Sequence, residues 1–260
     1  MNDMALIDDI FSIQEVDLGS GNTVHFLHIE EINSELASFI DDNIRLITEG
    51  NTSTPISQIK KRFVEYLELK RGHTLEMGAV AEFMIHLYLN AKGFKQEFLY
   101  FNLESRSIKL GFDGYYSKEG DEWIMESKSG KINPGSVTHS SKIAEAYNDI
   151  NNKISDRVGN NPWRNAYNHA CHIDVNSAED IIKNLKELTD DFDSQKYQKI
   201  ENLNIIPTST IFLNGLWSEM DIEILQEQLE EYFTNKDFKN INVICTNKKS
   251  LSLLEDYLRS

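Results

Sequence analysis

Cysteine is scarce in this sequence. Cys171 and Cys245 are the two of its 260 residues that carry a thiol. They lie far apart and outside any CxxC spacing, which excludes a disulfide framework and a structural zinc site and fits a reducing, cytoplasmic setting. Long apolar runs are missing too, none approaching the roughly 18 residues that a membrane-spanning helix needs. The N-terminus, MNDMALIDDIF, is acidic where a signal peptide would be positive, so the expectation is a chain neither exported nor inserted in a membrane. Positive charge is also short, with 26 Lys and Arg against 42 Asp and Glu and a net charge of -16. That balance excludes nucleic-acid binding through bulk electrostatics, which needs Lys and Arg on phosphates. Any such contact must be local, metal-assisted or lent by a basic partner. No internal repeat or low-complexity segment is present.

What remains is ordinary for a packed protein. The hydrophobic content is 40% and the aromatic content 10%, enough for a substantial core in one large domain or two small ones. Residues 22–30 (NTVHFLHIE) read as a strand. Asn33 then caps a helix running to about Thr48, with Leu36, Phe39, Ile40 and Ile44 on its apolar face. After the break GNTSTPIS, a short helix over KKRFVEYLEL completes residues 1–70, which read as an α/β appendage because no later motif needs them. LEMGAVAEFMIHLYLNAKGF follows as an amphipathic helix ended by Gly93. KQEFLYFNL (95–103) reads as a strand, then comes a hairpin, and then a helix from about Ser140 to Arg157. Residues 159–200 read as a helical insertion, turn-rich at its start. NIIPTSTIFLNG reads as a strand whose start Pro207 places at a sheet edge, because proline lacks the amide that a ladder needs. A helix over 219–233, the strand INVICTN and a terminal helix complete the order. Strands separated by helices point to an α/β fold, and the hairpin makes its sheet mixed.

The chain's chemistry concentrates in residues 108–128, IKLGFDGYYSKEGDEWIMESK. If Glu119-Gly120 is a two-residue loop, Lys118 faces Asp121, Tyr116 faces Trp123 and, continuing outwards, Asp113 faces Glu126. Directly opposed residues have Cβ atoms about 4.5–5.5 Å apart, close enough for two carboxylates to share one ion. Alternation sends Ile124, Glu126 and Lys128 to one face and Trp123, Met125 and Ser127 to the other. Two opposed carboxylates repel without a cation, so the register either hosts a metal or is wrong. The spacing has the form D-x12-E-x-K. Two carboxylates and a backbone carbonyl are hard ligands suited to Mg2+ or Mn2+, and such an ion polarises a phosphate and acidifies bound water. A lysine on the same face can orient or deprotonate that water and neutralise charge growing on the phosphate. In the preceding helix, Glu82 stands out among Val80, Phe83, Met84 and Leu87. Alone it reads as a surface glutamate or a partner of His86; its place before the hairpin raises it, with Glu76 as the competing carboxylate.

These residues resemble the PD-(D/E)xK nuclease superfamily, with Gly111-Phe112-Asp113-Gly114 as the first half of the motif and Glu126-Ser127-Lys128 as the second. Phe112 stands where a proline gives the motif its name. The resemblance covers roughly residues 71–157 and the strand near 210. It implies a restriction-endonuclease-like core over 71–260, built as a helix, three antiparallel strands, a second helix and a further strand. It also implies Asp113, Glu126 and Lys128 as catalytic residues, with Glu82, Asp113 and Glu126 holding Mg2+ or Mn2+. Glu82 matches the family's helix carboxylate better than Glu76, and Lys142 and Tyr147 on the following helix are placed to face the site. ELASFIDDNI, GAVAEFMIHLYL, LGFDGYY and ESK together are similar to the HamA-like nuclease subunits of Hachiman antiphage systems, which work with a helicase. That likeness implies an effector acting on DNA under the control of a helicase or ATPase partner. A catalytically silent adaptor on the same fold and an RNA-directed nuclease are the competing readings.

The remaining candidates read more plainly. His169, Cys171 and His172 lack a fourth ligand and read as packing residues. His73, His86 and His139 form no triad. Trp163, Tyr167 and Trp217 read as core or interface aromatics rather than base-stacking platforms.

Overall fold

The computed structural model describes residues 7, 10–100, 111–132, 137–155 and 159–260. Within them the chain forms β1 (Ile13–Gly19), β2 (Asn22–Ile29), α1 (Ser34–Glu49), α2 (Ile56–Leu69), α3 (Thr74–Ala91), β3 (Lys95–Gln96), β4 (Gly114–Lys118) and β5 (Asp121–Lys131). There follow α4 (His139–Ile154), α5 (Pro162–Ala170), α6 (Glu179–Asp193), β6 (Asn204–Phe212), α7 (Ile222–Phe233), β7 (Asn240–Lys248) and α8 (Ser252–Arg259). The strands make one seven-stranded mixed sheet in the order β1-β2-β7-β6-β5-β4-β3. β2, β7, β6 and β5 run parallel through its middle, and antiparallel pairs close both sides.

Strand alternation divides the core in two. Trp123 and Met125 of β5, Ile206 and Phe212 of β6 and Ile244 of β7 turn to a face covered by α1, α2, α3 and α8. Ile124, Ile205, Ile241 and Val243 turn to the opposite face, under α4, α5, α6 and α7. Local signals start these helices: the Asn33 side chain accepts the Leu36 amide 2.8 Å away, and Thr138 and Ser141 form a reciprocal capping box on α4. No described helix is long and apolar enough to cross a membrane.

Five expectations change. Residues 1–70 were expected as an appendage, yet β2 pairs with β7 from Thr23 to Ile29, and α1 and α2 pack into the same core as α3. β1 was not expected as a strand; its alternating IQEVDLG pairs antiparallel with β2. The expected strand over 95–103 is reduced to Lys95–Gln96, since the Gln96 side chain and the Tyr100 amide both donate to the Ile47 carbonyl and draw the chain off the sheet. Pro207 does not mark an edge: β6 lies between β5 and β7, and the β6–β7 register skips Ile206 and Pro207, so the missing amide falls in a gap of the ladder. α3 also buries more than one face, with every residue from Ala79 to Leu89 except Glu82 buried.

Candidate functional site

The hairpin takes the expected register, from Lys118 opposite Asp121 to Gly114 opposite Met125. Glu119 and Gly120 both have positive φ, 53° and 89°, the type I′ geometry that matches the twist of a tight hairpin. Asp113 follows as the next residue outward, beyond the paired positions. Its Oδ2 accepts the Ser127 amide at 2.9 Å, which ties it to the strand segment carrying Glu126. Gly114 is needed beside it: a Cβ there would sit 2.7 Å from the Tyr116 ring and 3.0 Å from the Met125 methyl.

Glu126 turns toward α4 and is 1% exposed. Lys153, in the last turn of α4, donates to both of its oxygens, at 2.7 Å to Oε1 and 2.6 Å to Oε2. Lys128 Nζ lies 3.3 Å from Oε1 and also bonds Asp149. Burial, and then the like charge of Asp113, push the Glu126 carboxyl up to about 8, with Lys153 and Lys128 pulling against them. Burial works against the charge of Lys128, but Glu126 and Asp149 outweigh it and hold this lysine above its usual range. Lys128 is therefore a fixed cation, suited to neutralising charge on a phosphate and unsuited to taking up a proton. Asp113, Glu126, Lys128, Asp149 and Lys153 form one network between β5 and α4.

Glu82 stands apart from that network. It lies on α3, and α3 covers the sheet face that Glu126 turns away from. Asp113 acts both on Glu126 and on Tyr100 and Tyr116, two buried phenols that Glu82 also acts on, and so lies between the two groups. Among the described residues no three His, Cys, Asp or Glu side chains gather closely enough to hold an ion. The expected trio of Glu82, Asp113 and Glu126 is thus not gathered into an ion site among the described residues. Glu76, the competing carboxylate, turns back to accept the Gly72 amide at 2.7 Å at the start of α3.

On α4 the expected partners are not those that reach Glu126. Tyr147 packs against Tyr232 and Phe233, and its hydroxyl donates to the Asp237 carbonyl at 3.0 Å. Lys142 pairs with Glu145 at 2.7 Å and lies over Gly130, beyond the network. Asp149 and Lys153 are the residues that sequence reasoning missed. The signal was there: Lys142, Ala146, Asp149 and Lys153 recur at helical spacing and define one stripe.

The other candidates have structural roles. His169 stacks on Phe98 and accepts the Leu99 amide, His172 faces Asp174 and Cys171 is exposed. His86 bonds the Tyr116 hydroxyl, and buried His139 bridges Ser209 and Asn247, each 2.9 Å away. Trp163 packs on Phe112 and Tyr115, and Trp217 meets His28 edge-on. Residues 101–103, 108–110, 133–136 and 157, which entered the readings above, lie outside the described residues.

A metal would find two hard oxygen donors here, Asp113 and Glu126. The bidentate ammonium of Lys153 marks the place on Glu126 where positive charge is already accommodated. In comparisons with known proteins the sequence matches no family description and no curated protein.

Proposed function

We propose that the chain is a metal-dependent nuclease of PD-(D/E)xK type that hydrolyses DNA phosphodiester bonds, serving as the effector of a bacterial antiphage system under a helicase or ATPase partner. One observation carries this reading: Glu126 lies beside Lys128 on β5, and the carboxylate of Asp113, the residue before β4, is bonded to the Ser127 amide between them. The order α3, β3-β4-β5, α4 and then β6 parallel to β5 supports it as well, since it is the order that the superfamily core requires.

In this reading Asp113 and Glu126 hold Mg2+ or Mn2+. The ion, when bound, polarises the scissile phosphate and acidifies its attacking water. Lys128, fixed by Glu126 and Asp149, presents a cation to the phosphate oxygens. The protein's net charge of -16 leaves the DNA track to a basic partner. Linear DNA incubated with purified protein and Mg2+ should be cut, and EDTA, Glu126→Ala or Lys128→Ala should each abolish cutting. Cutting that survives unchanged in both variants would sink the site. RNA digested alongside decides the sugar, since the metal reads phosphate and the 2′-OH must be recognised elsewhere.

A second reading has its own support: Glu126 is already neutralised by two ammonium groups, as in a silent adaptor that binds a helicase without chemistry. Calorimetric titration with Mn2+ separates the two, because an adaptor takes up no metal.

A further inference from the structure

Lys153 holds Glu126 as a bound cation would. An ionised carboxylate offers about four acceptor positions, two on each oxygen. Lys153 takes one on each oxygen, and Lys128 takes the second on Oε1. One position remains on a side chain that is 2% exposed. A divalent cation on Glu126 and Asp113 would therefore stand within a few ångströms of the Lys153 ammonium and compete with it for the same oxygens. Lys128 has a second carboxylate, Asp149, and keeps a partner if Glu126 is withdrawn from it. Among the described residues, Glu126 is the one acceptor of the Lys153 ammonium.

We propose that Lys153 is the resident counter-ion of Glu126, which a divalent metal must displace, so that the last turn of α4 sets how much metal the site needs. The inference rests on the reading of Asp113 and Glu126 as metal ligands. It assigns Lys153 a positioning role: the ammonium, bonded to both Glu126 oxygens, holds that side chain oriented in the metal-free protein and raises the metal concentration at which the site fills. The displaced ammonium, still anchored on α4 beside Lys128, becomes available to a phosphodiester oxygen.

Calorimetric titration of the full chain with Mn2+ tests this without reference to cleavage. Lys153→Met should bind Mn2+ about tenfold more tightly than the unmodified protein, or better, whereas Lys153→Arg, which keeps a two-pronged cation, should not. In a Glu126→Gln background, Lys153→Met should change nothing. Circular dichroism verifies that each variant is folded. If Lys153→Met is not folded, Lys153→Gln replaces it, keeping a donor while removing the charge. Unchanged or weaker Mn2+ binding in the folded neutral variants overturns the inference. DNA and RNA cleavage measured on the same samples keeps the two claims apart. Cleavage without tighter Mn2+ binding removes the counter-ion role and leaves the nuclease. Tighter binding without cleavage of either nucleic acid does the reverse, and Mn2+ binding in no variant removes both.

Discussion

Glu126 and Lys248 are both buried charges, two strands apart in one sheet, and their surroundings treat them in opposite ways. Glu126 receives two ammonium groups, one of them balanced in turn by Asp149. Lys248 is 0% exposed, and its ammonium has no hydrogen-bond partner among the described residues. The hydroxyls of Thr208, Thr210 and Thr246, also buried, are unpartnered too. Burial pushes the Lys248 amine down to about 7, and the distant charge of Asp256 offsets only part of that. Burial alone therefore does not mark a working site. What distinguishes β5 is the convergence of opposite charges beyond anything that folding requires, since a buried ion pair is a poor source of stability.

Replacing each charge by an apolar side chain of similar size should give opposite signs. Glu126→Leu strands Lys153 and should cost about 3–5 kcal/mol in urea unfolding. Lys248→Met should instead stabilise the protein, by about 2–4 kcal/mol at pH 6. Equal signs would break the comparison.

The Lys248→Met gain should also depend on pH. The folded amine titrates near 7 and the unfolded one near its ordinary 10.5, so the unfolded state holds the extra proton between those values. The cost of Lys248 is complete below pH 7 and fades as pH rises toward 10, and the gain from Lys248→Met should fade with it.

His139 is an intermediate case, buried, neutral and partnered on both ring nitrogens. Burial lowers it to about 4, so its contribution to stability is complete above pH 6.5 and is lost as pH falls toward 4. His139→Gln should flatten that acid limb by about 1–3 kcal/mol, read from urea midpoints. The smallest effect belongs to Tyr147→Phe, which removes one hydroxyl bond to Asp237. It should cost about 1 kcal/mol and leave the cleavage rate unchanged.

The hairpin was legible in the sequence because each part of it is local. Period-two alternation, a Glu-Gly turn and a spacing countable on one strand pair fixed which residues face one another. The helices announced themselves by caps and periodicity. The partners of Glu126 were not legible in the same way. Lys153 reaches it across 27 residues, and choosing it over Lys142 needs the rotation of α4 against β5, which depends on how Ala146 and Ile150 pack. The place of Glu82 was hidden for a related reason: spacing along the chain says nothing of which side of a sheet a helix covers. Pro207 misled because an edge is the commonest place for a strand proline, whereas here a ladder gap absorbs it.

The parallel pairing of β2 with β7 has a consequence for how the molecule comes into being. Thr23 bonds Asn242, a partner 219 positions along the chain. A nascent chain that has emerged only as far as α7 can close the β1–β2 hairpin and the β5–β6 pair, yet no strand joins them into one sheet. One late strand therefore locks both halves at once. Folding should be slow for this size, with most of the loop-closure entropy lost in that final step.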